Sequence, residues 1–169
     1  MVLASMLLKY RGFDAPGAQQ RLRDSFGQHG ITGDRFLFSG QATAVEMMRT
    51  YAQIDIGLDP FPYSGGLTTC EALWMGVPTV TMPGETFASR HSASHMSNAG
   101  LPDWVVEGAD AYVARALASV ADIDALAQLR TGLRAQARAS PLCDAPRFGR
   151  SLGAALRHAW RGWCATQAG

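Results

Sequence analysis

Apolar residues in this chain come in short runs, set between longer stretches whose spacing suits helices. Residues 3–9 form one such run, ending in Tyr10-Arg11-Gly12. Residues 19–29 follow with helix-like polar composition and with Leu22 and Phe26 four apart, so a strand and then a helix are predicted. The signal repeats at 35–38, where Arg35-Phe36-Leu37-Phe38 reads as a strand, at 43–53 as a helix and at 54–58 as a third short strand. Residues 68–75 are predicted helical with Cys70, Leu73 and Trp74 on one face, 77–82 strand-like, 87–99 helical and 104–106 a brief strand. Helices are then predicted over 109–120, 123–139 and 147–164. The last opens after a proline and carries Phe148, Leu152, Leu156 and Trp160 on one stripe.

Strands alternating with helices predict an α/β, Rossmann-like domain, a parallel sheet wrapped on both faces, with a helical C-terminus. With 169 residues, 47% of them hydrophobic, residues 1–169 are expected to form one domain that buries its own core. The 15 basic residues nearly cancel the 14 acidic ones without a basic stripe, which argues against nucleic acid as a partner. Every basic residue except Lys9 is arginine, and alanine is frequent, a composition that suggests a GC-rich bacterial genome. Cys70, Cys143 and Cys164 are odd in number and widely separated, fitting neither a disulfide framework nor a zinc spacing; a reducing cytoplasm is expected. The apolar opening, residues 1–8, lacks a basic leader and falls short of the roughly 20 residues that span a bilayer, so a buried strand is expected there and no membrane partner. No repeat, linker or low-complexity segment is evident.

Residues 58–78 are the most informative segment: strand, glycine-rich loop, helix. In an open parallel sheet the ligand crevice lies beyond the carboxyl ends of the strands, where this loop falls. Gly65 and Gly66 allow backbone to approach a bulky anion, and the helix that follows offers unpaired amides and the positive end of its dipole, a setting for a diphosphate. Thr68 and Thr69 add hydroxyls, and Glu71 could accept hydrogen bonds from two ribose hydroxyls. A plainer reading stands beside this one: Thr68-x-x-Glu71 matches a capping box, whose side chains serve the helix's own amides. The pattern leaves both open, and the two roles can coexist.

The runs GGLTTCEALWMGVP at 65–78 and MPGETFASR at 82–90 resemble the core of the O-linked N-acetylglucosamine transferases and SPINDLY-type glycosyltransferases, especially bacterial members with tetratricopeptide repeats. The resemblance runs from Leu7-Leu8-Lys9-Tyr10 to the final helix. It implies the C-terminal, donor-binding domain of a GT-B fold, truncated on its N-terminal side, in a family that inverts at the sugar and needs no metal or other cofactor. The implied donor is a UDP-sugar, UDP-GlcNAc foremost, and the implied acceptor a protein Ser or Thr. Carried over, Thr68 contacts the diphosphate and Glu71 holds the ribose, where eukaryotic members have Asp, with Gly65, Gly66, Leu67 and Thr69 counted beside them as donor-binding. The loop Ser39-Gly40-Gln41-Ala42 lies against the base, and Arg49 aligns with a basic position on the next helix. Two departures alter the donor contacts: Gly66 replaces a His near the phosphates and Ala44 replaces a Lys. The catalytic His of the family belongs to an N-terminal half not in this chain, so no catalytic residue is expected here. That missing half, or another chain, is the implied partner.

Three other readings remain from sequence: a GDP-fucose donor, as in the SPINDLY branch; a nucleotide-sugar epimerase, disfavoured by the 82–90 block; and a non-catalytic nucleotide-binding module. His91 and His95, four apart, have a metal-ligand spacing but no third ligand, and are read as structural or surface residues. Cys70 is read as a small hydrophobe and Trp74 as core. Glu85 and Arg90 are either donor-side residues or part of a helix start. Trp160 and Trp163 are expected to be exposed or covered by another domain.

Overall fold

A computed structural model describes residues 5–31 and 33–167, which form two compact units, residues 1–54 and 55–169. The predicted strand at 3–9 is seen from its second half onward; Leu3 and Ala4 lie outside the described residues.

In the first unit, β1 (Met6–Lys9) pairs in parallel with β2 (Phe36–Ser39), Met6 opposite Phe36 and Lys9 opposite Ser39. The connection is a 3-10 turn, Arg11–Asp14, followed by α1 (Pro16–Gly27), which starts earlier than residue 19 because Pro16 sits at the helix start with its ring pre-set for helical φ. Aromatic packing closes this small unit: Phe13 meets Phe38 edge-on at 5.3 Å and Phe26 lies 4.7 Å from Phe36. After β2 the chain turns into α2 (Ala44–Thr50), continued by a 3-10 turn, Tyr51–Gln53.

The second unit holds β3 (Gly57–Leu58) and β4 (Thr79–Val80), again parallel, with Thr81 bridged to Val105 in parallel. The brief strand expected at 104–106 is thus reduced to a single bridge. The helices are α3 (Leu67–Trp74), α4 (His91–Asn98), α5 (Ala109–Ala121), α6 (Ile123–Ala139) and α7 (Ala145–Gln167). Leu73, Val80, Met96, Leu101, Trp104, Leu126 and Leu133 pack into one core. Both α3 and α4 end in the same way. At α3, Gly76 takes a φ of +78°, its amide donates to the Leu73 carbonyl and the Val77 amide to the Ala72 carbonyl, so the last carbonyls are satisfied and the chain is turned sharply into β4.

Two expectations need correction. Residues 87–99 are not one helix: Phe87–Ser89 is a 3-10 turn, the Ser89 hydroxyl bonds back to the Thr86 carbonyl, and the α-helix begins only at His91. Trp74 is not core. Its ring is 42% exposed, with the Arg134 guanidinium 5.6 Å from its centroid and Arg134 Nε donating to the Trp74 carbonyl at 2.6 Å. The helix turns Leu73 inward instead, at 1% exposure. The stripe on α7 is as read: Phe148, Leu152, Leu156 and Trp160 are all exposed, and Trp160 stacks on Trp163 at 5.1 Å.

Candidate donor site

The glycine loop hangs from a buried carboxylate. Asp59 follows β3 directly, is 4% exposed, and is the only acidic or basic side chain buried among the described residues. Its Oδ1 accepts from the Gly65 amide at 2.7 Å and its Oδ2 from the Thr81 hydroxyl at 2.7 Å, so the end of β4 and the loop are fixed by one group. The Tyr112 hydroxyl donates to the Asp59 carbonyl at 2.9 Å; burial, with the neighbouring Asp59 charge, pushes that phenol up to about 12.

Ser64 and Ser92 complete the frame. The Ser64 hydroxyl donates to the Ala88 carbonyl at 3.0 Å and accepts from the His91 amide at 3.1 Å, so it serves the start of α4. Ser92 donates to the Gly65 carbonyl at 2.9 Å and shares a hydrogen bond of 2.8 Å with the Thr69 hydroxyl. The first turns of α3 and α4 are therefore tied together through three small hydroxyl side chains, all buried.

This frame decides what each glycine is for. A Cβ on Gly65 would lie 2.5 Å from the Thr69 hydroxyl and 3.2 Å from Asp59 Oδ1, so only hydrogen fits. A Cβ on Gly66 would meet a single neighbour, His91 Nδ1, at 4.0 Å. Neither glycine has a positive φ, so close approach and open space, not backbone handedness, account for the pair.

The capping-box reading of Thr68 and Glu71 gives way. The N-cap of α3 is Gly66, which has no side chain to cap with, and Thr68 lies at the second helical position. Thr68 is exposed and Glu71 half-buried, three residues apart and so on one side of the helix. Leu67 is exposed at the first position. Thr69 differs from its expected role: it is buried and its hydroxyl is engaged with Ser92, which makes it part of the frame. Cys70 is half-buried, and burial pushes its thiol up, in keeping with a packing role.

In the first unit, Ser39 ends β2, and Gly40, Gln41 and Ala42 follow it in the loop leading to α2. Asp14 Oδ2 accepts from the Gln41 amide at 3.0 Å, Lys9 Nζ donates to the Gly40 carbonyl, and a Cβ at Gly40 would collide with the Asp14 carboxylate. A capping box does exist here: the Glu46 amide donates to the Thr43 hydroxyl, and Glu46 Oε2 accepts from the Thr43 amide at 2.8 Å. Those bonds hold the Glu46 carboxyl below its ordinary value. Arg49 is exposed in the last turn of α2.

Glu85 is exposed, and Arg90 donates to the Gly84 carbonyl at 2.8 Å. His91 and His95 are the first and fifth residues of α4; burial holds the His95 imidazole below its ordinary value, with His91 a smaller contributor. Among the described residues no three His, Cys, Asp or Glu side chains gather as a metal site. Asp59, Ser64 and Ser92, which build the loop, went unread in the sequence. Asp59 was visible as an acid directly after a strand; the serines gave no signal.

Residues 2–152 match glycosyl transferase family 41. Among similar proteins is a probable UDP-N-acetylglucosamine–peptide N-acetylglucosaminyltransferase SPINDLY of Oryza sativa, 44% identical over 117 residues, 69% of this chain and 13% of the relative. The protein of the same name from Solanum lycopersicum is 36% identical over 160 residues, 94% of this chain and 17% of the relative. A solved mutant O-GlcNAc transferase of Thermobaculum terrenum superposes with a TM-score of 0.88 at 36% identity, over 96% of this chain and 31% of that one. The mixed α/β chain, with its parallel strands and helical C-terminus, thus shares the fold of part of a GT-B enzyme. It spans less than a fifth of the length of these plant relatives.

Proposed function

Since this chain belongs to glycosyl transferase family 41, we propose that it is the donor-binding part of a glycosyltransferase that moves GlcNAc from UDP-GlcNAc to protein Ser or Thr. The observation that carries this reading is the loop before α3. Its glycines approach the frame too closely for a side chain at Gly65, leave space at Gly66, and open a helix whose N-cap is a glycine. Such a helix start presents amides and a positive dipole end to a diphosphate. Thr68 adds a hydroxyl there and Glu71, one turn on, accepts from the ribose.

The names of the plant relatives and of the solved neighbour support GlcNAc as the sugar. Transfer also needs an acceptor hydroxyl held in line with the anomeric carbon, and no group for that is found on α3 or its loop. The catalytic part is assigned to the remainder of such an enzyme, with no metal. Unpaired Cys70, Cys143 and Cys164 and the arginine-rich composition support a bacterial protein of a reducing compartment. A thermal-shift screen against UDP, GDP, UDP-GlcNAc and GDP-fucose tests the donor. Stabilisation by the two uridine ligands is expected. Stabilisation by the guanosine pair alone would replace GlcNAc with a GDP-sugar, and no shift with any of the four would end the donor-site reading.

A further inference from the structure

We propose that His91 binds the donor diphosphate, its imidazole bordering the open space beside Gly66. The inference rests on the donor-site reading above. Its ground is the meeting of α3 and α4 at the loop. The Ser64 hydroxyl accepts from the His91 amide at 3.1 Å, and Ser92 bonds both the Gly65 carbonyl and Thr69. His91 therefore cannot drift from the glycine pair without breaking buried hydrogen bonds. Its ring meets Phe87 edge-on, centroids 4.5 Å apart at 84°.

The ring then faces the loop. Nδ1 is the single atom within 4 Å of where a Gly66 Cβ would stand. Glycine at 66 thus keeps clear a gap with an imidazole on one side and the start of α3 on the other. The hydrogen bond of His91 to Ser64 is made by its backbone amide, while the adjacent cation, Arg90, is occupied with the Gly84 carbonyl. A half-buried imidazole beside a helix start opened by two glycines is suited to a phosphate oxygen. An imidazole reaching the phosphates from α4 also accounts for a glycine at 66, because a larger residue there would compete for the same volume.

Calorimetric titration of uridine, UDP, guanosine and GDP into the unchanged chain and into His91→Ala, His91→Gln and the double variant Gly66→His/His91→Ala tests this. His91→Ala is expected to weaken the bound diphosphate roughly tenfold while its nucleoside stays within about twofold. His91→Gln, which keeps a donor, should recover part of the loss. Gly66→His should restore binding in the alanine background, where its Cβ meets no atom other than the ring that has been removed. In the unchanged chain, the His91 Cε1–H resonance should shift on adding the diphosphate and not on adding the nucleoside. Equal loss for diphosphate and nucleoside, no loss for either, or a His91 resonance indifferent to the diphosphate would each overturn the proposal. Those results leave the donor site standing if the diphosphate still binds. An unchanged chain that binds neither diphosphate would overturn both.

Discussion

Replacing Asp59 by alanine strands two donors at once, one buried and one part-buried. The carboxylate accepts from the Gly65 amide and the Thr81 hydroxyl, both at 2.7 Å, and the site is 4% exposed, so water does not readily take its place. Hydrogen bonds to a charged group are worth about 1.5–3 kcal/mol each, and an unsatisfied buried donor costs about 1–3 kcal/mol. Removing the charge also removes the cost of burying it, which returns part of the loss. The balance is about 3–5 kcal/mol, a large share of a domain stability of roughly 5–15 kcal/mol. Asp59→Asn separates charge from geometry. Its oxygen still accepts from Gly65, while its amide meets Thr81, whose hydroxyl must turn to another acceptor; about 1–2 kcal/mol is expected.

Urea unfolding followed by tryptophan fluorescence measures this well, because all four tryptophans lie in the second unit and Trp104, 3% exposed, is in its core. An alanine variant within about 1 kcal/mol of the unchanged chain would refute the claim that the loop hangs from this carboxylate. So would an asparagine variant as damaging as the alanine one.

His95 gives a pH dependence. Burial lowers its folded pKa below the ordinary imidazole value of about 6.5, so the unfolded chain takes up this proton more readily. Its contribution is complete above about pH 6.5 and is lost as pH falls through the folded value. His95→Gln should remove that slope in thermal unfolding between pH 7 and pH 5, and an unchanged slope would assign the effect to other groups. The chain on its own is expected to transfer no label from radiolabelled UDP-GlcNAc to lysate protein, since in-line positioning, worth roughly 7–11 kcal/mol of barrier, needs groups that α3 and its loop do not supply. Transfer by the chain alone, abolished by Glu71→Ala, would contradict this.

The sequence showed elements wherever local rules were enough. The helix at 123–139 is found with the same bounds, because Asp122 caps its start and a Ser140-Pro141 pair ends it. The last helix was legible from its stripe alone. What failed was governed by partners distant in the chain. Nothing near residue 90 announces a break, since His91 is captured by Ser64, 27 residues away. Trp74 looked like core because it shares a helix face with Cys70; in the fold its ring lies outward beside Arg134 of α6 and Leu73 turns inward. At the loop, the glycine pair, Thr68 and Glu71 were readable as a motif. The frame of Asp59, Ser64 and Ser92 was not, because a serine's worth depends on what lies across from it.

The central claim is that the start of α3 holds a nucleoside diphosphate with Glu71 on its ribose. The most direct measurement is calorimetric titration of UDP into the unchanged chain and into Glu71→Ala, with circular dichroism confirming equal helix content. Saturable binding by the unchanged chain is expected, weakened by about 1.5–3 kcal/mol in the variant, the worth of hydrogen bonds to a charged acceptor. Equal affinity in the two proteins, or no binding to the unchanged chain, would contradict it.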